Sequence, residues 1–483
     1  MKKIAIVYDD RALPSDEIRS ITGEKSFGNT IYKRKSLREM QLSYLSDRSL
    51  RKYGIADKML VWDSSGPPSL KDMPAGGCVF HIFSDCAVKD APEFYMLLRK
   101  ALFAKENYRM GCGKKTAALI FKSLEDWAEA TEAADTTEEL RALAEPFSEI
   151  SNEAFCDISE KDGFLSFITS GFEARYFNAL SGDRHSVVKK SSNVKKIQAE
   201  YQFYKLLPEE MQPWFVQPYS YKEERGFASY TMERYHMTDL AIRYVHGAIE
   251  TGEFERILEN VFRYLKIRKE KELSWEEFFS HRKELYIGKL EKRIEDLKSH
   301  PEYNKLNNLI ISGTDFNGID AIVDKYIGLY DERIGKVKEK VELVVSHGDL
   351  CFSNILYSRD TDLMRLIDPK GAQREEELYT DPYYDLAKLS HSIAGGYDFM
   401  NSGRYEICLD EGLKLKLNID GDNSEYIELF RKKAEEEGYD YGQIRLFETS
   451  LFLSMLPLHI DRPQKVLSFI LNALSIMEEL ERA

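Results

Sequence analysis

Asp349, Asn354 and Asp368 are the residues of this 483-residue chain whose types and spacing fit a chemical task. Asp349 and Asn354 lie in Ser346-His347-Gly348-Asp349-Leu350-Cys351-Phe352-Ser353-Asn354, and Asp368 closes the run Leu366-Ile367-Asp368. Leu343, Val344 and Val345 precede the polar loop, and Ile355, Leu356 and Tyr357 follow it. The pattern predicts strand, loop, strand, turn and a third apolar run, with three polar groups presented at one edge of short strands. Phosphoryl transfer from a magnesium nucleotide needs groups of this kind. One carboxylate accepts the proton of the acceptor hydroxyl, while an amide oxygen and a second carboxylate hold the metal against the phosphates. The competing reading is a chance His-Gly-Asp in an ordinary strand-turn-strand. Asn354 in register and Asp368 at the next strand end weigh against chance.

Asp-x4-Asn followed by a strand-borne aspartate matches the kinase catalytic loop and metal-binding aspartate, with Gly348 in place of the arginine of H-R-D. The stretch resembles the aminoglycoside phosphotransferase and choline kinase family, whose loop reads H-G-D-x4-N followed by I-D. Asp381-Pro382-Tyr383-Tyr384-Asp385-Leu386-Ala387 adds to the resemblance, as a D-P-x-x-D-L-A-like segment opening a helix. The resemblance covers roughly residues 160–480 and implies a two-lobed, protein-kinase-like α+β domain. Its small antiparallel-sheet lobe is expected over 151–237, and its large, mostly helical lobe, with a helical insertion, over 238–483. ATP and Mg2+ are the implied cofactors, with Asp349 as catalytic residue and Asn354 and Asp368 as metal ligands. The implied acceptor is the hydroxyl of a small molecule: a sugar, an amino alcohol such as choline, or an aminoglycoside-like compound. Surface polysaccharide synthesis is one setting for such a reaction. His347 is expected to brace the loop. Asp385, near a helix start, suits a structural role in which its carboxylate accepts backbone N–H bonds.

Other residues must hold the nucleotide. Two successive hairpins are expected, Phe164 to Thr169 returning through Ser170-Gly171 to Arg175–Leu180, then His185 to Lys190. In a kinase small lobe the first turn covers the phosphates and the third strand carries a lysine, which makes Ser170 and Gly171 nucleotide-binding candidates. Lys189 follows Val187-Val188 as the lysine follows the apolar residues of V-A-I-K. Lys190 stays open as the alternative, because a slip of one residue reverses the face of a strand side chain. Glu200, on the predicted helix Lys195 to Leu207, is the candidate partner of the lysine. Adenine is expected against backbone near Glu233 and Tyr235, with Met232 closest to the gatekeeper position.

The first 150 residues read differently. Ile4 to Tyr8, Met59 to Trp62, Cys78 to Phe83 and Ala117 to Phe121 are continuously apolar, with helical patterns at Ser36 to Leu45 and Pro92 to Lys105. Alternating strand and helix predicts an α/β domain, whose ligands sit at the carboxyl ends of strands. Asp9, Asp10, Asp63, Ser84 and Asp85 fall there. The layout loosely resembles sugar-nucleotidyltransferase or glycosyltransferase-like domains, but the glycine-rich loop after the first strand is missing. Strand-end acids are more often helix caps than metal ligands, and the domain is read as lacking an intact active site of its own. Gly111-Cys112-Gly113 is half a phosphate loop and reads as a tight turn. Residues 124–150 suggest an amphipathic connecting helix, with a possible interior start at Thr136.

Composition excludes other classes. Hydrophobic residues make up 43% and charged residues 31%, as in ordinary globular proteins. A net charge of -14 argues against a nucleic-acid or anionic-membrane partner, since both need a basic footprint. Six scattered cysteines without a C-x-x-C pair indicate neither a zinc site nor a disulfide framework. No run reaches the roughly 18 apolar residues of a membrane helix, and the start reads as a buried strand, not a signal peptide. The expected location is the cytoplasm. Two alternatives remain: a pseudokinase-type nucleotide-binding scaffold, and a bifunctional sugar-modifying protein.

Overall fold

The computed structural model describes residues 3–32, 34–45, 55–170, 178–182, 185–334 and 341–482. Contacts divide the chain into two compact units, Met1–Glu173 with His246–Ala248, and Ala174–Val245 with Ile249–Ala483. Among the described residues no helix is long and apolar enough to cross a membrane.

The first unit is built on a six-stranded mixed sheet. Its spatial order is Ile55–Trp62, Ile4–Asp9, Cys78–Phe83, Lys115–Phe121, Tyr108–Cys112 and Ser148–Ile150. The first three strands run parallel, and Lys115–Phe121 runs antiparallel to both of its neighbours. Gly113, at φ 64°, sits in the tight turn between the last two hairpin strands, where a left-handed backbone favours glycine. Strand alternation separates two cores. Ile4, Ile6 and Tyr8 pack with Phe80, Phe94 and Leu97 on one face, while Ala5 and Val7 pack with Val79, Trp127 and Leu140 on the other. Burial on both faces is why the strands read as continuous apolar runs.

Two expectations for this part of the chain are corrected. Residues 124–150 are not one connecting helix: they form helices Leu124–Glu132 and Thr137–Leu143 and the strand Ser148–Ile150. Thr136 and Glu139 form the capping box that starts the second of these helices. Phe164 to Thr169 is not a strand either, because Lys161–Ser170 is an α-helix. Its apolar residues satisfy both periods, but Phe164, Phe167 and Ile168 at i, i+3 and i+4 are the ones buried. Phe167 stacks on Tyr32 with ring centres 4.5 Å apart, which ties the helix to the first unit. The compact unit therefore runs on to Glu173, past residue 150.

The second unit begins with a four-stranded antiparallel sheet in the order Asn178–Gly182, Ser186–Ser191, Phe227–Glu233 and Pro218–Glu224. The helix Val194–Leu206, capped by Asn193, packs on it through Ile197 and Tyr201. Most of the remainder is helical. Thr251–Lys266, Trp275–Lys283, Lys289–Lys298, Ile319–Ile334, Tyr384–Ile393, Tyr441–Ser454 and Pro463–Arg482 are the main helices. A short helix, Leu240–His246, precedes them, and Gly247 at φ 67° ends it. Tyr441–Ser454 is buried along nearly its whole length and packs between Tyr384–Ile393 and Pro463–Arg482.

Candidate active site

Two small β-pairings position the polar groups. The hairpin Ile355–Ser358 with Leu363–Leu366 sets Ile355 opposite Leu366. Its open end therefore brings Asn354 beside Ile367, whose N–H donates to the Asn354 carbonyl at 3.1 Å. Asp368 is the next residue and takes a left-handed backbone, φ 54°. For a residue with a side chain this costs about 1 kcal/mol and is characteristic of functional turns. The strand Glu342–Val345 delivers the chain to His347 and Gly348, the latter at φ 76°.

Buried bonds fix the loop. Asp385, at the start of Tyr384–Ile393, accepts the His347 N–H at 3.1 Å and the Gly348 N–H at 2.9 Å. Arg268 stands 3.6 Å from the same carboxylate. His347 bridges in the other direction: the Asp349 N–H donates to Nδ1 at 3.1 Å, so Nε2 carries the proton and donates to the Ile367 carbonyl at 2.9 Å. Burial lowers the His347 pKa, which keeps the ring neutral as this pattern requires. The catalytic-loop candidate and the Asp368 segment are thus tied through one imidazole.

Asp349 itself is half-buried. Lys388 Nζ lies 2.9 Å from its Oδ1, and the Asn354 amide donates to its carbonyl at 2.8 Å and to its Oδ2 at 3.3 Å. Burial alone would lower the Lys388 ammonium pKa; the Asp349 charge outweighs it and raises the pKa well above the ordinary lysine range.

Lys189 is buried and points to the same region. Its ammonium is 2.8 Å from Glu200 Oε2 and 2.7 Å from Asp368 Oδ1. Burial opposes the charge, but Asp368 and Glu200 outweigh it and raise the Lys189 pKa. Tyr230, directly across the sheet from Lys189, donates its hydroxyl to Glu200 at 3.0 Å. Lys190 takes the opposite, exposed face, with its ammonium 5.0 Å from the Phe227 ring centre. A depression open to solvent lies beside the ion pair, lined by Tyr204, Val216, Met232, Leu366 and Asp368 among others. Glu233 ends the neighbouring strand and is exposed. The Tyr235 ring lies under the Arg365 guanidinium at 5.5 Å.

Ser170 is the last residue of the helix Lys161–Ser170, and Gly171 lies outside the described residues. The residues that sequence reasoning missed are Lys388, Tyr230 and Arg268. Lys388 left a signal, a lone cation in the apolar helical run Leu386-Ala387-Lys388-Leu389. His391, on the same helix, is a core residue packed between Tyr397 and Phe452.

Asn354 and Asp368 fit a magnesium ion by their chemistry. The Asn354 amide nitrogen is spent on Asp349, which leaves its oxygen as the donor, and Asp368 has one oxygen beyond the Lys189 contact. Oxygen donors of this kind suit a hard cation.

The strand-end acids of the first unit are held by their own neighbours. Asp9 accepts Arg11 Nη2 at 2.8 Å and faces His81 Nε2 at 3.1 Å, while Trp127 donates to His81 Nδ1 at 3.2 Å. Asp10 accepts the Gly28 N–H at 2.8 Å and the Ser26 hydroxyl at 2.7 Å. Asp85 is ion-paired with Arg141 and, at 2.5 Å, with Lys115. Asp63 accepts the Ser65 N–H in a turn at 2.9 Å, and Ser84, buried just past its strand, donates its N–H to the Asp9 carbonyl at 2.9 Å. No cluster of three or more His, Cys, Asp and Glu that could hold a metal occurs among the described residues.

No protein-family model and no curated protein matches this chain. Solved structures do. The chain is similar to aminoglycoside phosphotransferase APH(4)-Ia, at 11% identity and a TM-score of 0.38, over 65% of this chain and 97% of that one. It is also similar to a thermostable mutant of that enzyme in a ternary complex with AMP-PNP and hygromycin B, at 10% identity, a TM-score of 0.38 and coverage of 65% and 97%. A third similar structure is the streptomycin-ATP-APH(2")-IIa ternary complex, at 13% identity, a TM-score of 0.33 and coverage of 66% and 96%.

Proposed function

We propose that this chain is an ATP-dependent phosphotransferase that moves the γ-phosphoryl group to the hydroxyl of a small molecule. The observation that carries this reading is the convergence of Lys189, Glu200, Asp368, Asn354 and Asp349 within one unit, through side chains drawn from separate strands, a helix and a loop. Folding alone requires no buried lysine shared between two carboxylates; a pair of this kind is weak evidence for stability.

Each residue then has a task. Lys189, oriented by Glu200 and Tyr230, holds the nucleotide phosphates. Adenine occupies the pocket by Met232 and Val216 and bonds backbone near Glu233 and Tyr235. Asp349 accepts the proton of the acceptor hydroxyl as that oxygen attacks phosphorus. His347 and Asp385 keep the loop in place, so Asp349 meets the hydroxyl without paying for reorganisation. Asn354 and Asp368 hold Mg2+, which when bound neutralises charge on the phosphates. The first unit has no active site in this reading, because its strand-end acids are already satisfied internally. A pseudokinase scaffold that only binds nucleotide would have no use for Asp349 as a proton acceptor.

The test is ATP turnover by purified protein with magnesium and a panel of hydroxyl compounds. Asp349→Ala should lower kcat by about 10³-fold, within the range for loss of a general base, and keep nucleotide binding. Folded protein that binds no nucleotide in the presence of magnesium would overturn the proposal.

A further inference from the structure

We infer that the hydroxyl compound phosphorylated here carries an anionic group, a phosphate or a carboxylate, held by Lys289 and Lys370 beside Asp349. This rests on the phosphotransferase reading above and narrows its substrate class.

The evidence is the charge around the loop. Lys388 already faces Asp349 at 2.9 Å. Tyr384 lies four residues earlier on the same helix and so on the same face. Lys289, from the helix Lys289–Lys298, donates to the Tyr384 hydroxyl at 3.1 Å, with its ammonium 5.4 Å from the ring centre. Lys370 also lies against the loop: its N–H donates to the His347 carbonyl at 2.9 Å, and a methyl group added to Gly348, next to Asp349, would stand 2.4 Å from Lys370 Cδ. Lys289 and Lys370 are near enough that their charges repel. Among the described residues neither has a carboxylate partner at ion-pair distance. His281, which also senses Lys370, leaves its Nδ1 buried without a hydrogen-bond partner.

Of the acids in the surrounding elements, Asp385 and Glu377 lie near enough to favour the Lys370 charge, but each is already engaged elsewhere. Asp381 is paired with Arg282 at 2.5 Å. Asp385 is buried under the loop N–H groups, and Glu377 is bound by Arg374 at 3.0 Å. Glu448 is buried against Arg445. In a chain of net charge -14, a surplus of lysines around the one loop that would receive the acceptor is a local departure from the average. Cationic acceptors such as choline or an aminoglycoside would meet like charge there. An anion would gain charge-assisted hydrogen bonds from ammonium groups, which serve phosphate and carboxylate alike.

The reaction balances without another reactant. The bond between the γ-phosphorus and the bridging oxygen of ATP breaks as the acceptor oxygen bonds to that phosphorus. The hydroxyl proton passes to Asp349, and ADP leaves with the phosphorylated acceptor.

The experiment measures turnover with magnesium ATP and matched acceptors: a neutral hexose, a hexose phosphate, a hexuronate, an amino sugar and choline. Turnover is expected with the hexose phosphate or the hexuronate, and which of the two is used tells phosphate from carboxylate. In Lys289→Ala and Lys370→Ala the KM for that acceptor should rise tenfold or more. Their KM for ATP should stay at the wild-type value, which also shows that the variants fold. Efficient use of choline, the amino sugar or the neutral hexose overturns the inference and leaves the phosphotransferase reading standing. So does a rise in the KM for ATP alone, which would place the lysines on the nucleotide. Nucleotide binding with no anionic acceptor used, and no effect of these anions on slow ATP hydrolysis, overturns it as well. A protein that binds no nucleotide overturns both.

Discussion

Both units set carboxylates at the ends of strands, and they treat them in opposite ways. In the first unit the side chains of Asp9 and Asp85 are 0% and 2% exposed; Arg11 pairs with Asp9, which also faces His81, and Arg141 and Lys115 pair with Asp85. In the second unit Asp349 and Asp368 are 44% and 46% exposed, and each has a lysine at one oxygen. Position at a strand end is therefore a poor guide to chemistry. An acid closed in by matching cations has no capacity left for a ligand, whereas one that is half open to solvent does.

The comparison can be broken by exchanging its terms, beginning with the largest effect. Asp85→Ala leaves the Arg141 charge buried without its carboxylate. Urea unfolding should show the first unit destabilised by about 3 kcal/mol, as for other buried pairs broken on one side. Turnover per folded molecule should not change; if it falls, the first unit takes part in the reaction and the contrast fails.

Asp9 offers a test in pH. Burial pushes its carboxyl up, but hydrogen bonds from Arg11 and His81 outweigh that and bring the pKa down to about 2. A folded-state pKa below the unfolded value means that the ion pair stabilises fully above about pH 4. That contribution, about 2 kcal/mol, is lost as the pH falls from about 4 to 2. Asp9→Asn should flatten this part of the stability-against-pH curve, measured by denaturant midpoints. An unchanged slope would mean that the closed acid is not held as the geometry shows.

The smallest effect concerns the open side. Lys388→Met removes the cation from Asp349 without touching the nucleotide residues. The expected result is a fall in kcat of about tenfold, on the order of 1.4 kcal/mol, with KM for ATP unchanged. The acid limb of the kcat profile should move to higher pH, because loss of a facing cation favours the protonated carboxyl. Lys388→Arg should restore part of the rate. A profile that does not move would leave Lys388 with a packing role alone.

The sequence carried much of the candidate site because its parts are local. Asp349 and Asn354 share one loop, and Asp368 lies two residues past the strand that pairs next to it. Lys189 and Glu200 belong to consecutive elements, and the choice of Lys189 over Lys190 awaited only the face of the strand. Phe164 to Thr169 misled because its apolar residues fit a period of two as well as a helical stripe. Contact with Tyr32, far away in sequence, settles which period is used. Lys289 and Lys370 left no signal, since solvated lysines on helices and loops are the ordinary case.

What the sequence determined by itself is thus the order of elements and the short-range groups: apolar runs that must be buried, turns that need glycine, and polar residues a few positions apart. Tertiary structure alone decided which charges meet. Arg141 closes Asp85 across 56 residues, Lys189 reaches Asp368 across 179, and Lys388 faces Asp349 from a helix that begins beyond the hairpin. Charge pairing depends on distance in space, and a pattern of residue types along the chain encodes that distance only through the packing of every element between them.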